Sequence, residues 1–117
     1  MNAIGLEALT VPSLLAALDA AQLRQQVIAT NVARAGEPGR QPLRVTFEQA
    51  LASTSAGHRA SLQPTILPAA SSALDGLVRL DEELVAMARN ATHQQALLRV
   101  LDQHLGVIAL AIGEGRR

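Results

Sequence analysis

Histidines are the residues in this chain best suited to acid–base or metal chemistry, and their spacing argues against both roles. His93 and His104 lie eleven residues apart, about three helical turns or roughly 16 Å, so they cannot bind one metal ion from a single helix. His58 lies in a stretch rich in Ser, Ala and Pro. We therefore expect surface or interface histidines, with no metal and no cofactor.

The remaining reactive side chains also lack the context that catalysis needs. Asp81, Glu82 and Glu83 are consecutive, and consecutive helical residues point in different directions, so we interpret all three as a solvated first turn at the positive end of a helix dipole. The serines stand in no G-x-S-x-G or S-x-x-K motif. Absence of lysine and cysteine removes Walker-A, Schiff-base and thiolate chemistry. The sequence predicts no enzyme.

Composition indicates one helical domain without a charged docking surface. The 117 residues are 49% hydrophobic, yet Phe47 is the only aromatic residue. Such a chain packs helices closely and rarely builds a ligand-caging pocket. Ten basic residues balance ten acidic ones along the whole sequence, which predicts binding neither to nucleic acid nor to an anionic membrane.

The longest predicted element is a C-terminal helix over 78–113. Acids at its start and Gly113 at its end are typical helix boundaries. Its longest uncharged apolar run, Leu105 to Ile112, is far shorter than a bilayer span, so we expect no direct membrane insertion. Residues at alternating spacings of 4 and 3 form an a/d seam that faces a partner helix: Leu80, Leu84, Met87, Ala91, Gln94, Leu98, Leu101, Leu105, Ile108 and Ile112.

A second helix with the same periodicity is predicted over 13–35, after Thr10 as a candidate cap and Pro12 in the first turn. Gln25 and Gln94 each interrupt an apolar seam. They would fix the register if they met, or they are simply tolerated where the seam is wet. The seam of this helix is Leu14, Leu18, Ala21, Gln25, Ile28, Val32 and Ala35.

Residues 36–76 form the predicted connector between these helices. Gly36 suits a left-handed helix end, and Pro38 forbids continuation. Residues 43–47 alternate weakly like a short strand, while Phe47 to Leu51 would equally form a short helix. We expect 53–72 to be an extended or poorly ordered connection.

The predicted fold is therefore mainly all-α: a single domain, 1–117, whose two long antiparallel helices form a coiled-coil-like hairpin around an irregular middle segment. The C-terminal helix is about ten residues longer than its partner. Either residues 1–12 or another subunit must cover the surplus seam. A monomeric hairpin, with the seam as its ordinary core, is the alternative.

Three segments resemble the flagellar rod and hook proteins. Residues 29–39, ATNVARAGEPG, resemble the A-x-N-I-A-N-A-x-T-P-G-Y signature near the N-terminus of that family. Residues 45–51, VTFEQAL, are similar to the dFe..L segment of the proximal-rod protein of the B type. Residues 78–90, VRLDEELVAMARN, are similar to the family's v-x-l-d-x-E-M-x-x-l-a-x-N. The chain departs from the family pattern at Arg34, Glu37, Arg40 and His93.

The resemblance implies a structural subunit of the periplasm-spanning basal-body rod, exported by the flagellar type III apparatus without a cleaved signal. The N-terminus agrees, because it lacks a basic n-region and carries Glu7. The implied partners are other axial proteins and further copies of the chain. The alternatives are a small dimerising regulatory or chaperone-like binding module, and a rod component of a related type III secretion machine.

The candidate functional residues follow from the seams and from the signature. We expect the assembly seam to comprise Leu14, Leu18, Ile28 and Val32 facing Leu84, Met87, Leu98, Leu101, Leu105, Ile108 and Ile112. We expect the turn after the first helix to be shaped by Asn31, Pro38, Gly39 and Phe47. An aspartate at Leu101 would place a charge in the seam and abolish assembly.

Overall fold

The computed structural model describes residues 10–37, 41–55, 63–69 and 79–114. These residues are mainly helical, which confirms the predicted class, and they add a small two-stranded sheet. In chain order the elements are helix α1 (Val11–Ala33), strand β1 (Leu43–Thr46), helix α2 (Glu48–Ser55), strand β2 (Thr65–Pro68) and helix α3 (Leu80–Glu114).

Helix α1 begins and ends where the local sequence directs it. The Thr10 hydroxyl accepts a hydrogen bond from the backbone N–H of Ser13, and Pro12 occupies the first turn, where its missing N–H costs nothing. Past the C-terminal end of α1, Gly36 has a φ of +91°, a left-handed conformation that glycine adopts without strain. Thr10 is thus confirmed as the N-terminal cap, whereas the C-terminal cap is Arg34, two residues before the left-handed Gly36 that was expected at this position.

The middle segment contains both a short strand and a short helix, the two alternatives that the sequence left open. Strand β1 pairs antiparallel with β2, so that Val45 lies opposite Ile66. Phe47 follows β1 at once and precedes α2. The connection expected over 53–72 to be extended or poorly ordered thus holds the strand β2 at 65–68, while residues 56–62 and 70–72 lie outside the described part.

The core lies where α1 meets α3 and the segment after β1. It is rich in alanine, and small side chains allow the two helix backbones to approach closely. Phe47 fills the space beside these alanines and is 3% exposed. The buried cluster consists of Leu14, Ala17, Ala20, Ala21, Phe47, Leu51 and Leu97.

Contacts between α1 and α3 involve later residues of α1 with earlier residues of α3. The Asn90 side chain bonds to the carbonyl of Ala21, and ten residues further along α1, Asn31 bonds to Glu83. Leu14 and Leu97 share the core cluster. Past Leu97, α3 continues through residues 98–114, whereas α1 has only residues 11–13 before Leu14. The C-terminal part of α3 therefore extends beyond α1.

Candidate assembly surface

The face that α3 turns toward α1 is displaced by one residue from the predicted seam. Glu83, Asn90 and Leu97 are the buried residues of α3, at intervals of seven, whereas Leu84 and Leu98 are more than half exposed. The expected pairing of Leu84 and Leu98 with α1 is therefore wrong within the chain. The predicted and observed stripes are adjacent on the helix surface, and both include Met87, Gln94 and Leu101.

Glu83 is buried because three side-chain donors satisfy its carboxylate. Arg44 donates through Nη2 to Oε1 at 2.7 Å and through Nη1 to Oε2 at 3.0 Å. The Asn31 amide donates to Oε2 at 3.0 Å. Only 1% of Glu83 is exposed, so the expectation of a solvated turn is wrong for this residue. We name Asn31, Arg44 and Glu83 the polar cluster.

Asn31 also fixes the start of strand β1 to the end of α1. Its Oδ1 accepts from the backbone N–H of Leu43, and its Nδ2 donates to the carbonyl of the same residue, both at 3.0 Å. The side chain thus takes the place of a neighbouring strand at this position. The polar cluster therefore joins α1, β1 and α3, and the role of Asn31 in shaping the turn stays a prediction.

A second buried amide lies further along the interface between the helices. Asn90 Nδ2 donates to the carbonyl of Ala21 and to Oε1 of Gln25, both at 3.0 Å. Gln25 therefore bonds across the interface to Asn90, whereas the sequence left open either a meeting with Gln94 or a polar residue tolerated in a wet seam. Oδ1 of Asn90 is buried without a hydrogen-bond partner among the described residues. An unsatisfied polar atom weakens this contact relative to the polar cluster.

Arg24 joins α1 to β1 and α2 at the edge of the core. Its Nη2 donates to the Val45 carbonyl at 2.9 Å and to Glu48 Oε1 at 3.1 Å. Burial alone would raise the pKa of Glu48, but backbone hydrogen bonds from Glu48 and Phe47, together with Arg24, lower it below 4.5. Partial burial, followed by the Arg24 charge, lowers the pKa of His93 below 6.5 and outweighs the opposing charge of Glu48.

Five predicted seam residues of α3 are exposed large apolar side chains. Leu84 is the most exposed of them at 59%. Since α1 covers only one side of α3, these side chains are available to another molecule, and their assembly role stays a prediction. The five are Leu84, Leu98, Leu105, Ile108 and Ile112.

The other predicted site residues lie mostly inside the chain. Leu14 and Ile28 are fully buried, and Phe47 is a core residue. Partly buried positions on the two helices are Leu18, Val32, Met87 and Leu101. Pro38 and Gly39 lie outside the described residues.

Sequence reasoning missed Arg44, Glu83 and Asn90 as structural residues. For the two residues of α3, the sequence signal that could have found them is the seven-residue interval from Glu83 to Asn90 and from Asn90 to Leu97. A search for apolar periodicity misses this interval because two of the three residues are polar. No described residues form a group of three or more side chains able to bind a metal. An open groove of about 400 Å³ includes Arg44 of the polar cluster in its lining. Two cations, two acids and two apolar residues line it: Arg44, Asp81, Glu82, Val85, Ala86 and Arg89.

In the described part of the chain, one helix, Leu80–Gly113, is long and apolar enough to cross a membrane by length and composition. A single helix of this kind is weak evidence, since helices of soluble proteins pass the same criterion. The sequence matches no protein-family model and no curated protein.

Proposed function

We propose that this protein is a structural, non-enzymatic subunit of the bacterial flagellar basal-body rod that assembles by packing its helices against neighbouring axial subunits. The apolar surface of α3 carries the proposal. Nine of its large apolar side chains are 47% to 70% exposed in the isolated chain. Burying the exposed half of each is worth about 1 kcal/mol, or on the order of 9 kcal/mol before the entropic cost of association. Monomers rarely leave so much apolar surface without a partner.

Within the subunit, we propose that α1 and α3 form a coiled-coil-like hairpin. The contacts of Ala21 with Asn90 and of Asn31 with Glu83 support opposite directions for the two helices. In such a hairpin one side of α3 is used internally, and the other side remains for neighbours. This arrangement suits a subunit that uses one side of α3 for its own fold and the other side for assembly with neighbouring subunits.

The residues that carry the family resemblance also support the proposal. Asn31, Phe47, Glu83 and Asn90 come from all three matching segments, and each has a buried structural role. Asn31 and Glu83 bond directly to each other. The proposed partners are other rod proteins, further copies of the chain and the type III export apparatus, and the proposed location is the periplasm-spanning rod.

The test is a charge placed on the exposed apolar face of α3. Leu105→Asp alters a half-exposed side chain, so the purified variant should keep the helicity of the wild type. In a strain that lacks the native gene, it should fail to restore swimming or rods, because assembly would bury an unpaired charge at a cost of several kcal/mol. The predicted Leu101→Asp variant is a poorer test, because Leu101 packs against the core and the fold itself would suffer.

Gln103→Asp is the matched control, since it adds the same charge at an exposed polar position two residues away. It should swim like the wild type. Swimming by the strain without any copy of the gene would refute the rod role. Normal rods with Leu105→Asp would refute the assembly surface.

The exposed face also fits a second candidate, a small helical module that dimerises to bind or regulate another protein. Light scattering with circular dichroism across a concentration series separates the two. A rod subunit should be a monomer that gains helix as it forms larger assemblies. A fixed dimer with full helicity at every concentration would favour the binding module.

A further inference from the structure

The small sheet of β1 and β2 has an open edge along β2. Every residue of β2 is exposed, and the apolar residues Ile66 and Leu67 are 46% and 47% exposed. Among the described residues, β1 is the one strand that pairs with β2. An exposed edge strand of this kind is a template for another strand, because its outward N–H and C=O groups are unpaired.

Backbone hydrogen bonds show which residues of β2 face this open edge. The N–H of Ala69 donates to the carbonyl of Pro42 at 2.8 Å, so these two residues face each other between the strands. Antiparallel partners alternate between bonded and non-bonded pairs. The next pair, Leu43 with Pro68, is therefore non-bonded. The even-numbered positions 64, 66 and 68 thus direct their backbone groups away from β1.

The other edge of the sheet supports this alternation. The N–H and the carbonyl of Leu43 both bond to the Asn31 side chain, and the carbonyl of Val45 accepts from Arg24. Leu43 and Val45 therefore face away from β2, as the alternation requires. Side chains of α1 occupy the β1 edge, which leaves the β2 edge as the open one in the described part of the chain.

Prolines occupy two of the three outward positions along β2. Pro64 and Pro68 have no backbone N–H, so Ile66 supplies the one outward donor of these three positions. Neither proline costs the sheet a hydrogen bond, because the inward positions of β2 are Thr65 and Leu67. A proline on a sheet edge withholds a donor from an incoming strand. The edge is therefore open in shape but poor in donors.

We propose that Pro64 and Pro68 block the addition of a further strand to β2, so that associations of this chain use helical surfaces and not the sheet edge. The inference goes beyond the proposed function, because it holds equally for a rod subunit and for a binding module. An antiparallel strand of the β2 sequence, centred on Ile66, would place Pro64 opposite Pro68. That strand would bond at Ile66, whereas both flanking pairs would lack their donors.

Restoring the missing N–H groups tests this block. In the full-length protein, Pro64→Thr combined with Pro68→Thr gives both outward positions a donor and a residue that favours strands. The double variant should self-associate about tenfold or more strongly than the wild type, measured by sedimentation across a concentration series, because both flanking pairs regain hydrogen bonds. Association no stronger than that of the wild type would overturn the inference.

Pro42→Thr is the matched control, because it makes the same substitution at a position that faces β2. Its new N–H would point toward Ala69 inside the sheet, so self-association should stay at the wild-type level. Equal association of the control and the double variant would also overturn the inference, since loss of proline alone would then be the cause.

Amide hydrogen exchange supplies a second readout. In the wild type, the Leu67 N–H faces β1 and should be protected, whereas the Ile66 N–H should exchange fast. In the associated double variant, the Ile66 N–H should become protected while Leu67 stays protected. Protection of Ile66 in the wild-type monomer would contradict the open edge, and association without protection of Ile66 would contradict strand addition. Loss of Leu67 protection in the double variant would show that the prolines support the sheet itself, which also contradicts the inference.

Discussion

Replacing Glu83 by glutamine tests whether the polar cluster holds the two long helices together. The substitution keeps the size of the side chain but removes its charge. A glutamine oxygen in the place of Oε2 would keep the bonds from Arg44 Nη1 and Asn31. Its amide group would then face Arg44 Nη2, where the carboxylate now accepts at 2.7 Å, and two donors would oppose each other.

The expected cost follows from the burial of the two partners. Removing one member of a fully buried ion pair costs about 3–5 kcal/mol, and a hydrogen bond to a charged group is worth about 1.5–3 kcal/mol. The Arg44 side chain is 34% exposed and can regain part of its hydration. We therefore expect Glu83→Gln to lower the free energy of unfolding by about 2–3 kcal/mol, equivalent to a Tm about 10–15 °C lower.

Urea unfolding followed by circular dichroism measures this loss, with Glu82→Gln as the control. Glu82 lies in the same first turn, so that Glu82→Gln removes the same negative charge from the positive end of the helix dipole. It is 56% exposed and pairs with Arg79 at 3.7 Å, so its loss should cost at most about 0.5 kcal/mol. If the two variants unfold at the same urea concentration, the polar cluster does not stabilise the fold and the reasoning fails.

Two further predictions concern Asn90 and the response to acid. Asn90→Leu should change the free energy of unfolding by less than about 1 kcal/mol, because it removes an unsatisfied buried oxygen along with two hydrogen bonds; a loss of 3 kcal/mol in urea unfolding would contradict this. The Tm should fall in two steps on acidification. Below about pH 6.5 the unfolded chain binds a proton at His93 more readily than the folded chain does, which favours unfolding. Below pH 4.5 protonation of Glu48 removes the stabilisation that its ionised form provides in the folded chain. His93→Gln should remove the first decrease and leave the second, and an unchanged profile would contradict the assignment.

The long helices were predictable because their signals are local. Both ends of α1 and α3 fall within two residues of the predicted limits, guided by Thr10 and Gly36 at the first helix. The side of α3 that faces α1 was not predictable from apolar periodicity. Glu83 and Asn90 count as surface residues in such a pattern, and only the partners brought by other elements make their burial favourable.

The division of the middle segment depended on contacts distant in sequence. Residues 43–47 are a weak strand pattern alone, and β2 supplies the pairing partners of residues 43–46 from 19 to 25 residues away. Phe47 fitted either a strand or a helix, and it lies between one of each. Such short elements take their structure from what they pack against.

The polar cluster also has a consequence for the order of folding. Asn31 and Glu83 are 52 residues apart in sequence, so their contact closes a long loop and should form late, after the helices. Until then the Glu83 carboxylate and the Arg44 guanidinium remain hydrated, and nothing local favours bringing them together. Contacts that form after the transition state govern the unfolding rate more than the folding rate. We therefore expect the polar cluster to slow the unfolding of the folded chain without speeding the folding of a newly made chain.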